Sequence, residues 1–153
     1  MTIRTVDTDK DHPDFIALVA MLDAQLIDTY GDDVMDGFHP LNALDGILHA
    51  VVVYCDDVPC ACGGIKRFDE SSAEVKRIFV KPEFRRLGLG GIVMQRLEEL
   101  TIASGYKRAV LETAADMTAA QTLYQKCGFS RMENYAPYEN NPLCVCFEKH
   151  LAV

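Results

Sequence analysis

Apolar positions recur along this chain with two periods, one near 3.6 residues and one near 2, in alternating blocks. Ile3–Val6 alternates and predicts a first strand. Phe15, Leu18, Val19, Leu22 and Leu26 fall at helical spacing. Pro13 suits that helix's opening turn and Gly31 its end. The stretch Asp32–Leu48 is interrupted by Gly37, Pro40 and Gly46, which predicts a broken helix or a loop. His49–Cys55, Pro59–Phe68 and Ala73–Val80 are strand-like runs separated by polar turns, so they predict an antiparallel meander, with a bulge at Gly63-Gly64.

Helical spacing returns at Leu89, Ile92, Val93, Leu97 and Leu100, and Ser104-Gly105 closes that helix. Ala109–Thr113 follows as a strand, so strand–helix–strand here implies a parallel pair. Thr118–Cys127 predicts a further helix, with Gly128 as its cap. Phe129–Met132 and Leu143–Phe147 complete the sheet. The fold class is α/β: a mixed sheet, built of an antiparallel meander and a parallel strand–helix–strand unit, flanked by helices. No linker-like segment divides residues 1–153, which read as a single domain.

Composition narrows the function classes. Hydrophobic residues make up 49% and no low-complexity tract occurs, which excludes disorder. The net charge of −8 argues against nucleic acid, whose phosphates need a basic patch. The same acidity either aids solubility or favours a cationic substrate. No signal-like start and no run long enough to span a bilayer occur, so the expectation is a cytoplasmic protein with no membrane partner. The six cysteines are expected to be reduced there. Cys60/Cys62 and Cys144/Cys146 are expected to share a strand face pairwise as core residues, and their spacing does not suit zinc, so no metal is expected.

The informative stretch is Val80-Lys81-Pro82-Glu83-Phe84-Arg85-Arg86-Leu87-Gly88-Leu89-Gly90-Gly91, where a strand ends and a glycine-rich turn opens a long helix. Free N–H groups at a helix start carry partial positive charge and suit a phosphate. Gly88, Gly90 and Gly91 let a diphosphate approach the backbone, and Arg85 and Arg86 add charge. The run lacks the Lys-Ser/Thr of a Walker loop and the spacing of a dinucleotide fingerprint.

Arg85-x-x-Gly88-x-Gly90 resembles the acetyl-CoA signature of the GNAT N-acetyltransferases. Ala73–Val80, Leu111-Glu112-Thr113 and Leu123-Tyr124-Gln125-Lys126-Cys127-Gly128-Phe129 resemble other segments of that superfamily, in the same order. Ala114 departs from the L-E-T-G form frequent in such proteins. The resemblance implies a GNAT-like fold and acetyl-CoA bound at Ile78, Phe79, Val80 and the run Arg85, Arg86, Leu87, Gly88, Leu89, Gly90 and Gly91. It implies Glu74 as base and Tyr124 as both cofactor ligand and acid to the leaving thiolate. It places Tyr30, Phe38 and His39 over the acceptor, and a homodimer is an assembly such proteins commonly form. The residues themselves leave plainer roles open. Glu74 can be ion-paired with Lys76, Tyr124 can fill a helix–sheet interface, and Tyr30, Phe38 and His39 can pack as loop residues. The lack of a Cys-His or Ser-His signature favours direct transfer in a ternary complex. Three functions fit: acetylation of a small-molecule amine, acetylation of a protein Lys or N-terminus, and non-catalytic sensing of coenzyme A.

Overall fold

The structure, a computed structural model, describes Met1–Leu151, with the side chains of all of these except His39 and Pro40. Its elements run β1 (Ile3–Thr8), α1 (Pro13–Tyr30), α2 (Asp32–Asn42), β2 (Ile47–Cys55), β3 (Val58–Arg67), β4 (Ser72–Val80), α3 (Leu89–Ala103), β5 (Arg108–Ala114), α4 (Thr118–Lys126), β6 (Ser130–Met132) and β7 (Cys144–His150). One sheet takes the order β1-β2-β3-β4-β5-β7-β6. Only β4–β5 is parallel, and α3 is the crossover between them. No helix among the described residues is long and apolar enough to cross a membrane.

The two faces of the sheet are covered differently because side chains alternate along each strand. On one face α3 and α4 close a core of Val51, Val53, Ile65, Val75, Val93, Leu97, Leu111 and Phe147. The other face packs Phe15, Leu18 and Val19 of α1 against Ala50, Val52 and Phe79. Beside that core, Phe38 and Leu41 of α2 meet Tyr135 and Tyr138 of the β6–β7 connection. The expected meander and parallel unit are both present.

Three local expectations differ from the structure. Asp32–Asn42 is a helix in its own right, with Gly31 at φ +88° breaking it from α1. The three acidic residues of α2 include two in its first turn, where the helix dipole favours them, and they outweigh the Gly37 that suggested a loop. The irregularity near Gly63 is real, but the extra residue lies on β4. Cys62 pairs with Phe79 and Gly64 with Lys76, so Gly63 faces both Arg77 (φ +61°) and Ile78. Finally, Cys60 and Cys62 do not share a face. A register shift after Val53 turns Cys60 into the α3 core and leaves Cys62 in the α1 core.

The β4 bulge is held by glycine. A Cβ on Gly63 would lie 2.5 Å from Ile78 Cδ1, 2.8 Å from Val93 Cγ1 and 2.9 Å from Leu97 Cδ1. Val93 and Leu97 are fully buried, so the three cannot all yield. Gly63→Ala is therefore expected to destabilise the protein by roughly 1–3 kcal/mol through overpacking, read as a lower urea midpoint at unchanged slope.

Candidate active site

The bulge and the crossover together open the sheet. β4 and β5 pair only at Ser72–Arg108, Ala73–Ala109 and Glu74–Val110. Beyond that point β5 stays with β7 along its whole length, while Val75–Val80 stay with β3. The two parallel strands therefore part, and a cavity of about 190 Å³ fills the split. Val75, Ile78, Leu111 and Tyr124 line it from the α3/α4 side, and Tyr30, Phe38, Lys76 and Glu112 from the α1/α2 side. The cavity thus takes its walls from both faces of the sheet. Lys81 N–H bonds Cys60 O, so strand alternation aims the Val80 N–H away from β3 and into the split.

At the end of β4 the chain makes a single 3₁₀ turn, Pro82–Phe84, and enters α3. Arg86 (φ +67°) and Gly88 (φ +78°) are both left-handed, and no side chain among the described residues caps α3. Among the described residues, none of the backbone N–H groups from Arg86 to Gly91 donates a hydrogen bond within the chain. Alternation of left-handed and ordinary residues before a helix start gathers such donors into an anion-binding concavity. Leu89, almost fully buried, anchors the helix start in the core.

The two arginines of the turn differ. Arg85 Nε donates to Val80 O at 3.1 Å and its Nη2 to Gln25 Oε1 at 2.9 Å, which ties the turn to α1. Its own N–H is bonded to Pro82 O. Arg86 is exposed, with no carboxylate paired to it among the described residues, and is the cation available at the turn. The glycines differ too. A Cβ on Gly90 would meet Leu123 Cδ2 at 2.8 Å, so Gly90 is small because α4 packs there. Around Gly88 and Gly91 a Cβ would meet nothing within 4 Å. Leu87 is exposed at the turn, whereas the Phe79 side chain belongs to the α1 core.

A polar cluster lies on the α1/α2 side. Glu74, at 7% exposure, accepts a 2.7 Å hydrogen bond from Tyr135 Oη and does not line the cavity. Lys76 does line it, and its Nζ donates to Tyr138 Oη at 3.3 Å. Burial pulls the Lys76 pKa down, while Glu74 and Glu112 oppose that pull. Arg77 is paired with Asp23 and also donates to Val19 O. Glu112 is the carboxylate of the cavity lining. Burial raises its pKa, with Glu74 adding to the rise and the Cys144 thiol and Lys76 opposing it.

Tyr124 borders both worlds. Its ring packs edge-on against Phe129 at 6.4 Å and tilts on Phe147. Its residue borders the cavity, and no hydrogen bond from its hydroxyl is made within the chain among the described residues. Burial first, then Glu112, raises its pKa, so the hydroxyl stays protonated. Tyr30 and Phe38 also line the cavity. Tyr30 Oη donates to Asp116 Oδ1 at 2.6 Å, and burial and that carboxylate push the phenol up to about 12. Phe38 stacks on Tyr138 at 6.4 Å. The His39 side chain lies outside the described residues. Sequence reasoning missed Glu112, Lys76, Tyr135 and Tyr138 as site residues. The even-numbered alternation Glu74, Lys76 on β4 and Val110, Glu112 on β5 carries that signal, since it puts charge on a face that should be apolar.

The profile of the acetyltransferase (GNAT) family matches residues 15–129. The chain is 35% identical over 91 residues to an IAA acetyltransferase of Azospirillum brasilense, covering 59% of this chain and 60% of that protein. It is 32% identical over 97 residues to the uncharacterized N-acetyltransferase YsnE of Bacillus subtilis, covering 62% and 64%. The matches thus span a little under two thirds of these curated relatives. Among solved structures, a Klebsiella pneumoniae protein given as a candidate acyl-CoA N-acyltransferase superposes with a TM-score of 0.80 at 27% identity, covering 99% of each chain. The PaiA N-acetyltransferase of Thermoplasma acidophilum, solved with coenzyme A, gives 0.74 at 15% identity over 98% and 99%, a likeness of fold alone. A family match over three quarters of the chain, on a sheet split at the same two strands that carry the glycine-rich turn, leads to one conclusion: the chain belongs to the GNAT acetyltransferase family.

Proposed function

We propose that the protein transfers an acetyl group from acetyl-CoA to the amine of a small molecule, by direct attack in a ternary complex. The observation that carries this reading is the cavity at the β4–β5 split, with six N–H groups at the neighbouring helix start that have no acceptor among the described residues. The residues fit the cofactor. The Arg86–Gly91 N–H groups and the Arg86 guanidinium would hold its diphosphate, and the Val80 N–H is available to the pantetheine arm as an added strand would use it. Acetyl-CoA, when bound, supplies the acetyl thioester. α2 and Leu143 cover the acceptor side, which favours a small molecule over a protein segment needing an open groove.

Glu112 is assigned the acceptor's proton, because it lines the cavity and Glu74 is held by Tyr135. Tyr124 Oη is assigned the proton given to the departing sulfur. An ammonium acceptor sheds two protons over one turnover. One leaves through Glu112 to solvent, and the other replaces the proton that Tyr124 gives. The N–C bond forms as the C–S bond breaks, yielding an amide and a thiol.

Gly91→Val tests the cofactor half of this reading. The position is open, and Val is a better helix residue than Gly, so the variant should fold. Acetyl-CoA should raise the melting temperature of the parent, whereas NAD should not. The variant should bind acetyl-CoA at least about tenfold more weakly, a loss near 1.4 kcal/mol. Equal shifts for both ligands, or unchanged affinity in a folded variant, would remove the turn as the diphosphate site.

A further inference from the structure

The acceptor side of the cavity has a chemistry of its own. Its wall is apolar: Leu22 and Leu26 of α1, Val34, Met35 and Phe38 of α2, and Leu143. The charged groups gathered at that wall are Glu112, Glu74 and Asp23 against Lys76 and Arg77, three carboxylates against two cations. Carboxylates act on both nearby cations. Lys76 donates to Tyr138, and Glu74 and Glu112 both favour its charged form. Arg77 is paired with Asp23 and donates to Val19 O, and its Nε is sealed from solvent with no partner among the described residues. The surroundings are acidic as well. Helix α2, which covers the cavity, carries exposed Asp32, Asp33 and Asp36 and no Lys or Arg, and exposed Asp116 accepts from the cavity's Tyr30.

We propose that the acceptor is a primary amine on an apolar body that carries no carboxylate, an alkylamine or arylalkylamine. Its ammonium faces Glu112 while its body lies along the Leu22, Leu26 and Phe38 wall. This rests on the acetyltransfer reading above and adds the substrate class. A free carboxylate on the acceptor would enter a pocket whose carboxylates Glu112, Glu74 and Asp23 already outnumber Lys76 and Arg77, and like charges placed together are strongly disfavoured. A polyamine would leave a second ammonium buried against the apolar wall. The acidic surroundings favour encounter with a cation over a zwitterion.

The test is thiol release from acetyl-CoA with four acceptors: 2-phenylethylamine, phenylalanine, phenylalanine amide and spermidine. Binding of acetyl-CoA is followed separately by melting temperature. The expected kcat/KM for 2-phenylethylamine exceeds those for phenylalanine and spermidine by roughly 100-fold or more, since several kcal/mol separate like from unlike charge in a desolvated site. Phenylalanine amide should recover to within about tenfold of 2-phenylethylamine, because it removes the carboxylate charge and keeps the bulk. Phenylalanine or spermidine as the best acceptor overturns the proposal, and so does an amide as poor as phenylalanine, which would make bulk the cause. No turnover of any acceptor by protein that binds acetyl-CoA overturns the substrate class and leaves the cofactor site standing. No binding of acetyl-CoA removes the acetyltransfer reading itself and the substrate class with it.

Discussion

Tyr124→Phe is expected to lower turnover by roughly 10²–10⁴-fold, the range for loss of a positioned general acid, with fold and acetyl-CoA affinity nearly unchanged. The substitution removes one oxygen and keeps the ring. That ring supplies the packing, edge-on to Phe129 and tilted on Phe147 within the α3/α4 core. The oxygen has no partner within the chain among the described residues, so its loss strands no buried donor or acceptor. A stability change beyond about 1 kcal/mol would therefore be unexpected. The phenol is held protonated by burial and by Glu112 nearby, which is the state a proton donor needs at neutral pH. Single-turnover rates at saturating acetyl-CoA and acceptor are the measurement, because product release can otherwise hide the chemical step. A fall of less than about threefold in that rate would return Tyr124 to a purely packing role.

The sequence exposes the cofactor side of this site better than the acceptor side, and the reason is physical. Diphosphate binding depends on backbone donors at a helix start, and the glycines that permit the turn are visible in the chain at residues 88, 90 and 91. What each glycine does is not visible. Gly90 is small to admit Leu123 of α4, a contact between helices that no local pattern encodes. Arg85 likewise looks like a phosphate ligand, yet it braces the turn against α1 through Val80 O and Gln25. The acceptor side is assembled from α1, α2, β4, β5 and the β6–β7 connection, so its residues meet only in three dimensions. Tyr135 and Tyr138 reach Glu74 and Lys76 across 61 and 62 residues. Strand alternation does put Glu74, Lys76 and Glu112 on one face, but it cannot tell which carboxylate is capped and which is open. The bulge also escapes a glycine-based reading: Gly63 marks its place, while the extra residue is in the facing strand.

Glu112→Gln is expected to reduce kcat/KM by roughly 10²–10⁴-fold, as loss of a positioned base does, while Glu74→Gln costs no more than about tenfold. The asymmetry follows from placement. The amide oxygen introduced by Glu74→Gln could still accept from Tyr135, whereas the amide introduced by Glu112→Gln would face the acceptor's proton with no basic oxygen. The pH profile separates a base from a mere spacer. Burial raises the Glu112 pKa above the ordinary carboxylate range, with Glu74 adding to the rise and the Cys144 thiol and Lys76 opposing it. The acid limb of kcat/KM should therefore lie above that range in the parent and vanish in Glu112→Gln. Stability should move the other way. A carboxyl whose folded pKa is raised binds its proton more tightly folded than unfolded, so its ionisation penalises the fold as pH rises through that folded pKa. Glu112→Gln removes the penalty, and the variant should be at least as stable as the parent near neutrality, with its advantage fading at acid pH. Urea unfolding across that range measures this. A variant that loses both activity and stability at neutral pH would mark Glu112 as the partner Lys76 needs in the fold. A variant that keeps its activity while Glu74→Gln loses it would give the base to Glu74.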